Sequence, residues 1–272
     1  MEDEELVPPV PPPFSVACCP HDDTASFTAA LKAAAGGRVV VPSGSYRLDG
    51  TVDVGQGSLV VTSGATLIRC DLSNSTAPLL RLAGQGGAVS GHGTLLTMTA
   101  SPRGLINIGP ANQSHAGNIE WNTVSGVTIL GAGLSYNRAE PARSQPHLNG
   151  SKGVCLDSTP FEDLCPPKSK RKPGTPPPPP PPPCRNGATY QNTVREVTVK
   201  NIDIGVYIGV QVNANEIDGV MMEAIGQSAY RLDGPLSENV VKGGFICGHG
   251  GNTTVIDVRG RPGADIKRLF LE

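Results

Sequence analysis

Apolar residues along this chain follow two different periods, and the change from one to the other marks the first structural boundary. In DDTASFTAALKAAAGG, residues 22–37, Phe27, Ala30, Leu31 and Ala34 recur at helical spacing. Asp23 or Thr24 can start the helix by accepting a bond from a free backbone N–H, and Gly36-Gly37 closes it. The spacing predicts one amphipathic helix over 24–35. Beyond it the period is two. RVVVPSGSYRLDGTVDV, SLVVTSGATLIRCD, PLLRLAG, GAVSGHGTLLT and GLINIG read as short strands, each closed within a few residues by Gly, Ser, Asn or Asp.

Similar segments recur in the C-terminal third. EVTVKNIDIG begins its apolar spacing at Val197, DGVMMEAIG at Val220, ENVVKGGFICG at Val240 and ADIKRLFLE at Ile266, steps of 23, 20 and 26 residues. A second strand follows each of the first three: GVQVNAN, SAYRLDG and TTVIDVRG. NIEWNTVSGVTILGAG upstream has the same grain. Irregular steps of this size suit coils that stack strand upon strand and vary in length at their corners. The pattern predicts an all-β parallel β-helix over 18–272, and a sandwich would instead show hairpin turns. Residues 1–17 read as a disordered acidic and Pro-rich lead-in. Residues 135–192, with Ser169 inside KSKRK and eight prolines from Pro176 to Pro183, read as an insertion that fills no coil interior. Cys155 and Cys165, or either with Cys184, would staple it in an oxidising site.

Composition narrows the classes. With 34 Gly and 26 Pro in 272 residues, a helical bundle is excluded. There is no apolar window long enough to span a membrane, and a net charge of −2 does not match nucleic acid. MEDEELVPPVPPPF has neither the basic nor the apolar region of a secretory signal. Seven cysteines without a C-x-x-C pair argue against zinc, and sequons at Asn74, Asn112, Asn149 and Asn252 tilt slightly toward secretion.

The segment DDTASFTAALKAAAGGRVVVPSGSYRLDGTV resembles the N-terminal opening of the pectate-lyase superfamily, which includes polygalacturonase-like proteins and phage tailspike-like β-helices. The matching positions are Asp22, Asp23, Thr24, Gly36, Gly37, Pro42, Gly44 and Tyr46. The resemblance implies a single-stranded right-handed parallel β-helix whose end is covered by the helix at 24–35, with structural work for Asp22, Asp23 and Thr24. It also implies a protein that cleaves or binds an acidic polysaccharide along a groove, in an extracellular setting. Related hydrolases carry clustered carboxylates and a Gly-His-Gly, because one group must protonate the leaving oxygen while others activate water. Here Gly248-His249-Gly250 follows a strand, and Asp203, Asp218 and Glu223 lie one or two coils back, so these with His249 are the catalytic candidates. The other Gly-His-Gly, around His92, reads as an exposed turn.

Lys200 and Lys242 are candidates for neutralising a uronate, although Lys200 beside Glu223 also reads as a surface ion pair. Asp203, Asp218, Glu223 and Asp233 are candidates for an acidic cleft that would hold calcium if the chemistry is lyase-like. Trp121 is either a sugar-stacking platform or, by its alternation with Ile119, packed inward or between coils. Stacked Asn201, Asn213, Asn215 and Asn239 are expected at bends. The alternative function is a non-catalytic glycan-binding, adhesin-like or structural module. A proline-binding domain on 176–183 is a further candidate partner, and the open final coil predicts a truncated chain or an oligomer partner covering it.

Overall fold

The structure, a computed structural model, describes residues 21–70, 77–110, 117–131, 150–158, 188–233, 236–247, 253–259, 266–267 and 270–271. It is mostly β, with one helix among the described residues, and three long sheets are parallel throughout, an arrangement consistent with a parallel β-helix. Helix α1 (Thr24–Ala34) precedes a first coil of β1 (Arg38–Val41), β2 (Gly44–Arg47) and β3 (Val52–Asp53). Later coils repeat that order: β4 (Ser58–Val61), β5 (Ala65–Arg69) and β6 (Leu80–Leu82), then β7 (Ala88–Gly91), β8 (Thr94–Thr97) and β9 (Ile106–Ile108).

From the fourth coil a short leading strand is added. That coil holds β10 (Ile119–Glu120), β11 (Thr123–Ser125), β12 (Thr128–Gly131) and β13 (Lys152–Leu156). The fifth holds β14 (Thr189–Tyr190), β15 (Thr193–Arg195), β16 (Thr198–Lys200) and β17 (Ile204–Ile208), and the sixth β18 (Val212–Asn213), β19 (Glu216–Asp218), β20 (Met221–Glu223) and β21 (Ser228–Asp233). The seventh holds β22 (Leu236–Ser237), β23 (Val240–Lys242), β24 (Phe245–Cys247) and β25 (Thr254–Arg259), followed by β26 (Ile266–Lys267) and β27 (Phe270–Leu271). We call the sheet from β1 to β27 the first sheet, that from β2 to β24 the second, and that from β3 to β25 the third; β10, β14 and β18 form a narrow fourth.

The period of two explains the interior. In the second sheet Leu67, Leu95, Ile129, Val199 and Met222 share one register line and are essentially unexposed. Each such side chain is worth about 1.5–3 kcal/mol when fully buried, so every three-residue strand with an apolar centre adds to one continuous core. Phe27 and Leu31 of α1 join that core, and Phe27 meets the Tyr46 ring edge-on at 5.6 Å. The helix start differs from the expected cap: Asp23 makes no side-chain cap bond, and Asp22 Oδ1 accepts the Thr24 N–H at 3.0 Å. Asp23 instead accepts the Arg47 N–H with its side chain, tying the helix entry to β2.

The corner between the fourth and first sheets carries a repeated device. Trp121, Gln191, Ala214 and Glu238 all take left-handed backbone, with φ of 58°, 55°, 54° and 59°. The residue after each is a buried asparagine: Asn122, Asn192, Asn215 and Asn239. Asn192 Nδ2 donates to Asn215 Oδ1 at 2.9 Å and Asn215 Nδ2 to Asn239 Oδ1 at 2.9 Å, while each Oδ1 also accepts the backbone N–H of the preceding ladder residue. Asn122 begins the series by accepting the Gly87 N–H and donating to Asn192. The ladder therefore satisfies buried backbone donors at every bend. Asn215 and Asn239 were expected at bends; Asn122 and Asn192 complete the set, whereas Asn201 and Asn213 stand outside it.

Two expectations are corrected. Thr193, Glu216, Val240 and Phe270 are register partners on the first sheet, so the true steps are 23, 24 and 30 residues. Val220 precedes a strand of the second sheet and Val240 lies in the first, so the 20-residue step compared two different sheets. The segment 135–192 is not wholly an insertion either. Lys152–Leu156 is a strand of the third sheet with Val154 and Leu156 unexposed, and Thr189–Tyr190 belongs to the fourth. The proline run, Ser169 and the remaining insertion lie outside the described residues, as do residues 1–17. Among the described residues no helix is long and apolar enough to cross a membrane.

Candidate functional site on the third sheet

The sequence-derived candidates do not converge. Asp203 sits in the bend before β17, 1 % exposed, where its Oδ2 accepts the Gly150 N–H and the Gln227 side chain at 3.0 Å. Burial raises its pKa, partly offset by those bonds, and the residue stitches three coils together. Asp218 is on the first sheet, where Lys242 Nζ lies 3.8 Å from it and 2.7 Å from Glu216. Glu223 is on the second sheet, paired with Lys200 at 2.6 Å across the register predicted for them. His249 lies outside the described residues. Asp203, Asp218, Glu223 and Asp233 thus occupy a buried bend and three different sheets, which does not fit a calcium site. Among the described residues no three His, Cys, Asp or Glu side chains are grouped to hold a metal.

Such exposed ion pairs contribute little. Glu223→Gln is expected to change stability by no more than about 0.5 kcal/mol and to leave any polysaccharide turnover within about twofold. Denaturant unfolding and an end-group assay on the variant check both.

A denser cluster lies on the outer face of the third sheet. On one register line stand Asn107, Cys155, Tyr207, Arg231 and Asp257. Leu156, Ile208 and Leu232 are partners in the core, so the residues that follow them, Asp157, Gly209 and Asp233, form the next row along the same outer face. Tyr207 donates its hydroxyl to Asp233 Oδ2 at 2.9 Å, and Lys152 Nζ lies 3.6 Å from the centre of the Tyr207 ring. Gly209 leaves space between the two aspartates. A Cβ there would meet Asp157 Oδ1 at 2.9 Å and the Tyr207 ring at 3.2 Å, so both lean over the gap.

The electrostatics of this cluster are uneven. Burial pushes Asp157 above the ordinary carboxylate range, with the Ser158 N–H, Lys152 and Arg103 only partly offsetting it and Asp233 adding to the rise. Tyr207 is raised as well, first by burial and then by the charge of Asp233. Cys155 is free, fully buried and pushed up to about 12 by desolvation, so it is an inert thiol and no staple for the insertion. Cys247 is also free, and Cys70 is disulfide-bonded. One buried polar atom on this face, Asn107 Oδ1, has no hydrogen bond, while Arg231 Nε and Asp233 Oδ1 face each other as an ion pair at 3.5 Å. Folded proteins rarely strand such atoms without a reason.

No protein-family model, curated protein or solved structure matches this chain.

The chemistry of the third-sheet face stands on its own residues. A carboxyl held toward its neutral form, a second carboxylate oriented by a phenol, and the cations Arg103, Lys152 and Arg231 share one strip of surface. Sequence reasoning had only Asp233 of this group. The signal for the rest was present in VCLD and YRLD, two strands ending in Leu-Asp with Ile208-Gly209 between them. Trp121, for which packing was one reading, is instead 57 % exposed. His92 is an exposed turn residue, as expected.

Proposed function

We propose that this chain is a carbohydrate-active protein that hydrolyses an acidic polysaccharide on the outer face of the third sheet. The observation that carries the reading is the pair Asp157 and Asp233, set two coils apart across Gly209, with the first carboxyl raised by burial. Two coil steps of about 4.8 Å, shortened by the lean of Asp157 over Gly209, suit the carboxyl separation of about 6.5–9.5 Å used in inverting hydrolysis. Asp157, whose burial makes it hold its proton more tightly than an ordinary carboxyl, would give that proton to the leaving glycosidic oxygen. Asp233, positioned by Tyr207, would take a proton from the attacking water. Arg103 and Lys152 would neutralise a uronate carboxylate beside them.

The finer description of the fold belongs to the same reading: a right-handed parallel β-helix whose first coil is capped by α1. Burial of Phe27 and Leu31 over that coil supports the cap, since an uncovered end would leave apolar side chains and strand edges to water. The disulfide at Cys70 suits an oxidising, extracellular compartment.

The test is an endpoint assay on neutral and uronate polysaccharides that records new reducing ends and unsaturated uronate together. Reducing ends from a uronate polymer without unsaturation are the expected result. Unsaturated ends would mean elimination. Binding without new ends would leave a glycan-binding module.

A further inference from the structure

The fourth sheet and its corner hold a second arrangement that the proposed hydrolytic site does not use. Trp121 is the one tryptophan of the chain, and it stands 57 % exposed. Its φ of 58° is a conformation that bulky side chains rarely adopt. The neighbouring corners place Gln191, Ala214 and Glu238 in the same geometry, so the bend dictates the conformation and not the indole. A large apolar ring here carries backbone strain and leaves more than half of its surface in water, which points to a role outside folding. Beside it Glu120 is 5 % exposed and accepts a bond from Gln85 Nε2. The Tyr190 hydroxyl bonds to Glu120 and accepts from Asn118 Nδ2 at 2.9 Å. The result is an exposed aromatic face next to a fixed set of hydroxyl, amide and carboxylate groups.

We infer that this corner is a separate saccharide-binding site, in which Trp121 stacks against the C–H face of a neutral pyranose and Glu120, Gln85, Asn118 and Tyr190 receive its hydroxyls. Only the ligand class rests on the carbohydrate reading above; the residues are different. Neutrality follows from charge. The segments around Trp121, 84–86, 118–123 and 188–193, contain Glu120 and no Lys or Arg, and Lys242 farther along is already bonded to Glu216, so a uronate here would meet the Glu120 carboxylate without a neutralising cation. The third-sheet face carries the cations instead. The two sites together select a polymer that presents both acidic and neutral units.

Because the chain has one tryptophan, its emission reports this corner alone. The experiment titrates the full chain with cellohexaose, mannohexaose and hexagalacturonate while following that emission. A saturable shift with a neutral hexaose, and a response at least about tenfold weaker with hexagalacturonate, is expected. No response to either neutral hexaose, or an equal response to the uronate, overturns the inference. Calorimetric titration of Trp121→Gly should show at least about a tenfold loss of affinity, with the thermal midpoint unchanged or raised because glycine accepts this backbone freely. Unchanged affinity with a lowered midpoint would make Trp121 a structural residue. The response should survive in Asp157→Asn; its loss there would show that the corner is not a separate site. Failure of the cleavage assay with the emission response intact would defeat the hydrolytic reading alone.

Discussion

Asp157→Asn is expected to lower polysaccharide cleavage by about 10²–10⁴-fold while making the protein more stable at neutral pH. The two effects share one cause. Burial raises the native pKa of Asp157 above its unfolded value, so the folded chain holds that proton more tightly than the unfolded chain does. Stability from this group is fully present below the unfolded value, about 3.9, and is lost as pH rises through the raised native one. Burial disfavours the charged form of Asp157, and the uncharged amide removes that cost. Unfolding by urea at several pH values, for wild type and variant together, reads the difference directly. Asp203 is also raised by burial, but it is present in both proteins and cancels in the comparison. A variant with full activity, or one less stable than wild type at pH 7, would remove Asp157 from the mechanism.

Asn215→Ala should be among the most destabilising single changes in the molecule. The Asn215 side chain accepts from the backbone and side-chain nitrogens of Asn192 at 3.0 and 2.9 Å, and donates to Asn213 O at 2.8 Å and Asn239 Oδ1 at 2.9 Å. Truncation strands the buried Asn192 backbone N–H, whereas Asn192 Nδ2 keeps Ile119 O and Tyr190 O and Asn239 Oδ1 keeps the Asn215 N–H. A cost of about 1–3 kcal/mol is expected for the one group left unsatisfied. For a domain of this size that lowers the thermal midpoint by roughly 2–12 °C. Chemical denaturation checks the figure. A loss below about 0.5 kcal/mol would mean that water fills the vacated position and that the ladder contributes little.

Most of the architecture was legible because it is written in local terms. Alternation in runs such as SLVVT and ATLIR, and the shift from helical to strand spacing after Gly37, need no knowledge of distant residues. Phase was harder. DGVMME and ENVVKGG have nearly the same local pattern, yet the first feeds the second sheet and the second lies in the first, and only pairing across coils separates them. The site suffered from that error. Asp157 and Asp233 become neighbours only when Leu156, Ile208 and Leu232 are set on one line, and reading 135–192 as an insertion hides Lys152–Leu156. The motif-led candidates Asp218 and Glu223 are separated by Gly219 and a corner, so closeness in sequence placed them on different faces. The packed alternative for Trp121 fails for a related reason. Alternation with Ile119 breaks at a left-handed residue, and the corner turns the next side chain away from the expected side.

The stacking of the sheets also has a mechanical consequence. Hydrogen bonds between coils, and the amide ladder beside them, all run along the direction in which the coils are piled. Covalent bonds run around each coil. Tension applied along the pile therefore loads one interface after another and peels coils singly, because each touches only its neighbours. Tension applied across it is carried by the polypeptide backbone. A chain built this way is stiff in its cross-section and yields along its length.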